Sequence, residues 1–342
     1  MVAQGSVVSR SWRSVTDRAR GAPGYSAEAT PAPPASRRHG RRDSVPSPQD
    51  ARVAVILASA GRPDLLGELV ADLARQTLTG FDVVVSVPDA ASLPSAPLPE
   101  HVRVVHARGL TTQRNAGLDA APEATHVFFF DDDAVVRPDY LEQAMAFFEH
   151  HPDVVALTGR VLLDGAVGDA ISVSAAAEAL AASETGPLGG QWTPSQTLYG
   201  CNFAVRRAGV PHERFDERLP LYGWLEDHDY ARRMLRHGAM AKVDDCVIVH
   251  RGVKSGGRTA HARLGYAQVM NPAYFHHKGS FPTALAWDET MRRVSKNAVL
   301  SLGGPEREWR RLRLRGNLLA AGDLLRRRFT PERMAQLPPD GR

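Results

Sequence analysis

Short apolar runs alternate with segments of helical periodicity through the middle of the chain. The runs at 52–59, 81–87 and 102–105 are rich in Val, Ile and Leu, which favours buried β-strands. Apolar positions recur at helical spacing over 63–73, and a second helix is predicted from Thr111. Strands that alternate with helices in this way predict a parallel α/β sheet with helices packed on it.

A fourth apolar run, from His126, ends in the three adjacent carboxylates Asp131, Asp132 and Asp133. Both kinds of pattern continue beyond it, with strands predicted at 154–159, 200–205 and 246–250, and helices at 139–150, 174–182 and 226–236. From residue 262 onward helical patterns dominate.

These patterns divide the chain into three predicted parts. Residues 1–50 are rich in Pro, Ser, Ala and Arg and poor in large apolar residues, which is typical of a disordered basic arm. Residues 51–255 are expected to form the α/β domain, in two halves at 51–135 and 136–255. Residues 256–342 are expected to form a helical, arginine-rich extension.

The composition of the chain indicates in which cellular compartment it is expected and which classes of partner it is expected to bind. The chain has 342 residues, 43% of them hydrophobic, and a formal net charge of +4, as in an ordinary globular protein. Only Cys201 and Cys246 occur, which suits a reducing compartment. No apolar run approaches the roughly 20 residues that span a bilayer, and the N-terminus lacks a signal-peptide pattern. We therefore expect a cytoplasmic protein, and no nucleic-acid partner, since no base-reading module accompanies the arginines.

The three aspartates are the first candidate for chemistry. In open α/β sheets, ligands bind at the carboxyl ends of the strands, where these side chains are expected. Adjacent carboxylates repel one another unless a cation compensates, and hard oxygen ligands suit Mg²⁺ or Mn²⁺. The alternative is a solvated acidic loop, or helix capping by Asp133.

Several motifs stand in an order that resembles glycosyltransferase family 2, the nucleotide-sugar-dependent enzymes of the GT-A fold. In chain order they are Ser59–Pro63, Asp89, Gln113–Gly117, Asp131–Asp133, Gly200–Arg207, Phe215–Arg218 running into Trp224–Tyr230, and His250. The resemblance covers about residues 52–252. It implies a GT-A type α/β fold: a mostly parallel nucleotide-binding sheet flanked by helices, with the disordered arm before it and the helical extension after it. It also makes 51–135 the nucleotide-binding half and 136–255 the acceptor half.

The resemblance assigns a metal site. Asp131 and Asp133 match the family's DxD motif, which implies that Asp133 contacts Mn²⁺ or Mg²⁺ and Asp131 contacts the metal or the ribose. Asp132 would point to the opposite face of a strand, so a hydrogen-bonding or structural role is expected for it within the nucleotide-sugar site. His250 resembles the family's metal-ligand histidine, and an ordinary core or surface histidine is the open alternative.

The resemblance also implies a donor site for a nucleotide sugar, with a UDP-sugar favoured. Ser59 and Arg62 match positions near the base and ribose, and Asp89 matches an aspartate that can accept from uracil N3–H. Arg114 and Asn115 match a pair that lines the nucleotide pocket. For Asn115, capping of the helix start is the alternative.

Glu226 and Asp227 match the family's acidic pair near the acceptor, and Asp227 is the expected general base. The alternative is that these acids only favour the positive end of a helix. The function implied is inverting, metal-dependent transfer of a sugar to a hydroxyl of a saccharide or lipid-linked saccharide, in bacterial polysaccharide or cell-envelope glycan synthesis.

Two other functions stay open at this point. Phe130–Val135 fits the signature of haloacid-dehalogenase-type phosphohydrolases, although that motif normally begins its domain. A catalytically inactive nucleotide-sugar-binding protein is the second.

The end of the chain predicts basic amphipathic helices, because arginines alternate with leucines between 310 and 328. Two placements are open for these helices. They either pack on the catalytic domain with a basic outer face, or make a peripheral contact with the inner face of the cytoplasmic membrane.

Overall fold

The structure is a computed structural model that describes residues 51–166, 168–253 and 260–338. The arm predicted over 1–50 and the domain boundary predicted after residue 255 lie outside the described residues. None of the described helices is both long enough and apolar enough to cross a bilayer.

The elements follow the predicted alternation. The strands are β1 (Val53–Ala58), β2 (Asp82–Val87), β3 (Val102–His106), β4 (His126–Asp131), β5 (Ala134–Val136), β6 (Val154–Asp164), β7 (Trp192–Pro194), β8 (Asn202–Arg206) and β9 (Ala239–His250). The helices are α1 (Pro63–Leu73), α2 (Leu110–Ala120), α3 (Tyr140–His150), α4 (Val173–Ala181), α5 (Glu226–Met234), α6 (His261–His277), α7 (Thr283–Leu300) and α8 (Arg307–Leu325), followed by a 3₁₀ segment at Pro331–Gln336.

The strands form one sheet in the order β3-β2-β1-β4-β8-β6-β9-β5, with β7 added on β9. The predicted parallel arrangement is confirmed for the first half of the sheet, where β3, β2, β1 and β4 all run parallel. The second half is mixed, because β8 runs antiparallel to both β4 and β6 while β6 and β9 are parallel. Apolar runs do not reveal this difference, since hydrophobicity carries no information on strand direction.

Helix α1 shows how local sequence sets an element. Pro63 occupies its first turn, where the missing N–H costs nothing, and its buried side chains recur at helical spacing: Leu66, Leu69, Val70 and Leu73. The helix has the predicted bounds. Strand β9 is longer than the predicted 246–250, because its first part alternates buried and half-exposed positions around Lys242.

The core lies on both faces of β4. Phe128 and Phe130 face one side, where Phe130 packs edge-on against Tyr140 of α3 at 5.1 Å. Phe129 points to the other side and stacks on Phe203 of β8 at 4.7 Å. Successive side chains of a strand point to opposite faces, so this aromatic run contributes to the hydrophobic core on both sides of the sheet.

The C-terminal helices pack closely on one another and on the sheet domain. A Cβ at Gly265 of α6 would overlap the backbone of Arg313 in α8, and a Cβ at Gly316 would overlap that of Ala262, so two glycines permit the close crossing. Just after α6, the Lys278 ammonium donates to Asp216 at 2.6 Å and to Asp229 of α5 at 2.8 Å. This contact fastens the end of α6 to the sheet domain, while the two placements predicted for the helix at 310–328 concern α8 and stay predictions.

Candidate active site

A cleft of about 320 Å³ lies at the carboxyl ends of β1, β4 and β9. The register places the last residue of β1, Ala58, beside Asp131, so the segments after β1 and β4 enter the cleft together. The predicted site residues that line it are Ser59, Arg62, Asp131, Asp133 and His250.

Asp131, Asp133 and His250 form a cluster that could hold a metal ion. One ligand atom from each lies within 4.8 Å of the others, and His250 Nε2 lies 3.4 Å from Asp133 Oδ1. Two carboxylate oxygens and one imidazole nitrogen suit Mn²⁺, and the carboxylates also suit Mg²⁺. The chemistry of the donor set therefore fits the predicted divalent ion.

A second carboxylate orients the histidine of this cluster. His250 Nδ1 lies 2.8 Å from Asp164 Oδ1, and the Tyr199 hydroxyl donates to the other oxygen of Asp164 at 2.6 Å. A carboxylate on Nδ1 directs Nε2 towards a metal and makes it more basic. Sequence reasoning missed Asp164, because its strand was expected to end at residue 159, whereas β6 continues to Asp164 opposite His250.

Electrostatics in the cluster favour a cation. Burial by itself would lower the pKa of His250, but the hydrogen bonds with Asp133 and Asp164 raise it to about 10. The same contact with His250 helps to hold the pKa of Asp164 at about 2 in spite of burial. Without a metal, a proton on His250 supplies the positive charge, so metal binding competes with protons.

Asp132 lies apart from the metal cluster. Its carboxylate is buried and accepts from Ser59 Oγ at 2.6 Å and from Arg62 Nε at 3.0 Å. Burial raises its pKa to about 7, although Arg62 and Ser59 oppose the shift. Asp132 thus holds two cleft-lining side chains in place.

Gln113 is a cleft residue to which the sequence assigned no role. Its side-chain amide donates to the carbonyls of Ser59 at 2.8 Å and Ser86 at 2.7 Å. Ser59 directly follows β1, and Ser86 is the last residue but one of β2. One buried amide therefore holds the ends of both strands together. The only signal in the sequence was its place at the start of the Gln113–Gly117 motif.

Four predicted donor residues do not line the cleft: Asp132, Asp89, Asn115 and Arg114. Asp89 is exposed at the end of β2, where it accepts from Ser92 Oγ at 2.9 Å and lies 3.4 Å from Arg108. Asn115 is buried and donates to the Phe215 carbonyl at 2.9 Å, so it fastens the loop between β8 and α5. Capping does not describe Asn115 either, since α2 begins five residues earlier, at Leu110.

Arg114 is a buried bridge rather than a cleft residue. Its guanidinium donates to Glu226 at 2.7 Å, to the Gly200 carbonyl at 2.8 Å and to Asp131 at 3.3 Å. Burial alone would lower its pKa, but Glu226 and Asp131 raise it, so the group stays charged. Arg114 therefore connects the metal-binding strand to the start of α5.

The acidic pair at the start of α5 has two distinct environments. Glu226 is buried, and burial raises its pKa well above the usual value although Arg114 opposes the shift. Asp227 is half-buried and accepts from the backbone N–H groups of Gly200 at 2.9 Å and His228 at 2.8 Å. The helix start does favour negative charge, as the alternative interpretation holds. Neither carboxylate is among the residues that line the cleft, and Asp227 lies beside Gly200.

The structure thus has a carboxylate-rich cleft at the strand ends of a mixed α/β sheet. Residues 54–210 match the model of a protein family described as glycosyl transferase family 2. This segment is a family 2 glycosyltransferase domain, and both the predicted family and the enzyme class are confirmed. The phosphohydrolase alternative does not agree with this match.

The comparison with solved structures gives a similar fold for the first of the two structures named here. The structure of S. aureus TarS 1–349 aligns with 84% of this chain and 83% of its own, at 18% identity and a TM-score of 0.51. The mannosyltransferase PcManGT from Pyrobaculum calidifontis, in complex with GDP-Man and Mn²⁺, aligns with 84% of this chain and 91% of its own, at 17% identity and a TM-score of 0.49. The TarS structure carries the comparison of folds. No curated protein sequence matches the chain significantly.

The contact between Asp164 and His250 yields a prediction about metal affinity. Asp164→Ala should weaken Mn²⁺ binding about tenfold to a hundredfold, because His250 loses the partner that orients it. Asp164→Asn keeps an acceptor oxygen and should lose less. Electron paramagnetic resonance of unbound Mn²⁺ measures both affinities, and Asp64→Asn, at an exposed position on α1, is the control. Equal affinities in all four proteins would remove Asp164 from the metal site.

Proposed function

We propose that this protein is an inverting, metal-dependent glycosyltransferase that takes a sugar from a nucleoside-diphosphate sugar, with a UDP-sugar favoured. The acceptor is a hydroxyl of a saccharide or lipid-linked saccharide, in bacterial polysaccharide or cell-envelope glycan synthesis. The observation that carries the proposal is the cluster of Asp131, Asp133 and His250 in a cleft at the strand ends of a family 2 domain.

The donor would bind with its diphosphate at this cluster. Mn²⁺ or Mg²⁺, held by Asp131, Asp133 and His250, would offset the negative charge of the departing nucleoside diphosphate. Ser59 and Arg62 line the adjoining part of the cleft and are fixed by Asp132, so they are the residues proposed to contact the nucleoside. The preference for UDP rests on Asp89 at the end of β2, whose side chain would have to leave Arg108 to reach a base.

Asp227 is the proposed general base. It lies at the start of α5 with its carboxylate held by two backbone N–H groups. A chain of hydrogen bonds connects Asp227 with Asp131. Gly200 N–H donates to Asp227, and Arg114 donates both to the Gly200 carbonyl and to Asp131. A carboxylate so placed can take the proton of an acceptor hydroxyl that attacks the sugar from the face opposite the nucleotide. Glu226 is proposed to assist by holding Arg114.

The proposed location is cytoplasmic, with a peripheral contact at the inner face of the membrane. Helix α8 turns a basic and apolar face to solvent: Leu318 and Leu325 are 67% and 88% exposed, and Arg315 lies beside them on the same face. Exposed leucines among arginines are typical of helices that dock on anionic lipid surfaces. A lipid-linked acceptor would be met at such a surface.

Metal-dependent nucleotide binding tests the donor assignment. Calorimetric titration with UDP and GDP should show binding of one nucleotide in Mn²⁺ and its loss in EDTA. Asp133→Ala should weaken this binding at least tenfold, because it removes a metal ligand. If the wild type bound neither nucleotide in the presence of Mn²⁺, that result would contradict the proposal.

The base assignment predicts a split between binding and turnover. Asp227→Asn should leave the dissociation constant of the nucleotide within about twofold of the wild type. It should slow the release of nucleotide from UDP-glucose, UDP-N-acetylglucosamine or GDP-mannose, whichever the wild type cleaves, by about a hundredfold or more. Asp64→Asn is again the control. Wild-type turnover in Asp227→Asn would assign the base to another carboxylate.

The membrane contact can be tested with sedimented vesicles. The wild type should bind phosphatidylcholine vesicles that contain phosphatidylglycerol, and lose binding as salt rises. The double variant Leu318→Glu, Leu325→Glu should partition at least tenfold more weakly, because it replaces apolar contact with like charge. Leu188→Glu, at a 53% exposed leucine of the catalytic domain, is the matched control. Unchanged partitioning of the double variant would exclude α8 as the docking face.

A further inference from the structure

Part of the cleft wall comes from the C-terminal helices. Arg263 and Leu264 of α6 and Met334 of the 3₁₀ segment line the same cleft as the metal cluster. These residues lie beyond 54–210, the segment that matches the family. The described C-terminal extension is therefore placed to contact whatever binds at the ends of the strands.

Arg263 is held at one edge of its guanidinium. Its Nε donates to the Leu337 carbonyl at 2.8 Å, just after the 3₁₀ segment, and Leu337 is itself buried. Across residues 51–166, 168–253 and 260–338, no hydrogen bond or ion pair joins its two terminal nitrogens to another side chain. One backbone bond thus fixes the side chain and leaves the other edge of the fork for a ligand.

The other two arginines of the cleft are already engaged. Arg62 lies against the buried Asp132, with Nη2 2.5 Å from Oδ1, and 3.5 Å from Asp133. Arg108 is 74% exposed at its side chain and lies 3.4 Å from Asp89. Arg263 therefore differs from both, since no described carboxylate neutralises it.

The charge balance of the proposed site calls for such a group. Asp131 and Asp133 together offset a divalent ion, and Asp132 offsets Arg62. A nucleoside diphosphate then adds negative charge that these groups leave uncompensated. A guanidinium fork can form two parallel hydrogen bonds with phosphate oxygens.

We infer that Arg263 binds the diphosphate of the donor, so that the helical extension supplies a donor-binding residue to the catalytic cleft. The inference rests on the proposed function. A phosphate on an acceptor would offer the same chemistry, and a titration with nucleotide in the absence of any acceptor isolates the donor.

The test compares ligands with and without phosphates. In Mn²⁺, Arg263→Gln should bind UDP or GDP about tenfold to a hundredfold more weakly than the wild type, because it loses a charge-assisted contact. Uridine or guanosine, followed by nuclear magnetic resonance titration, should bind both proteins equally. Arg263→Lys, which keeps the charge but not the fork, should fall between them. Arg307→Gln, at an exposed position at the start of α8, is the matched control.

The outcomes separate the inference from the proposed function. Equal nucleotide binding by the wild type and Arg263→Gln would overturn the role of Arg263 alone. An equal loss for nucleoside and nucleotide, with a lowered thermal midpoint, would also overturn it, because the contact with Leu337 would then be purely structural. A wild type that binds neither UDP nor GDP would overturn the proposed function and this inference together.

Discussion

The buried guanidinium of Arg114 is the interaction on which the arrangement of the site depends. It joins Asp131 at the end of β4, the peptide of Gly200 and Glu226 at the start of α5. Three aromatic rings surround its carbon at 5.3–5.8 Å, those of Phe129, Phe203 and Phe215. Without this cation, Glu226 would be a buried carboxylate beside two others, and loss of one partner of a buried pair costs about 3–5 kcal/mol. The Arg114 side chain thus connects the end of β4, which carries Asp131, with the start of α5, which carries the proposed base.

The metal cluster depends instead on the mixed half of the sheet. Because β8 runs antiparallel between β4 and β6, it separates the parallel pair β6 and β9 from the strands β1 to β4. The end of β9 then meets the short strand β5, which follows the aspartates, so that Ala134 is the partner of His250. On its other side His250 faces Asp164 of β6. A histidine 117 positions away from Asp133 in the sequence therefore reaches it through strand register.

The sequence predicted the elements whose signals are local. Helix α1 has the expected bounds because proline and apolar spacing define it within eleven residues, and the run before Asp131 identified the central strand. Signals that depend on chain path were missed or misplaced. Asp164 and Gln113 act through partners tens of residues away, and the direction of β8 leaves no mark in its composition. Asp89 and Asn115 matched positions in a family pattern, but that pattern does not show their partners. In the structure Asp89 lies near Arg108, and Asn115 binds the loop that follows β8.

Helix α5 is held from two sides, and this bears on the chemistry of Asp227. In front, Arg114 binds Glu226; behind, Lys278 of the C-terminal region donates to Asp229, which is fully buried. Glu226 and Asp229, the acidic residues before and after Asp227, thus each have a cation, while Asp227 itself makes no ion pair with any described residue. Backbone N–H groups fix its direction without neutralising it. The role of general base proposed for Asp227 needs a fixed position, which these N–H groups supply, while the flanking ion pairs fix the helix that carries it.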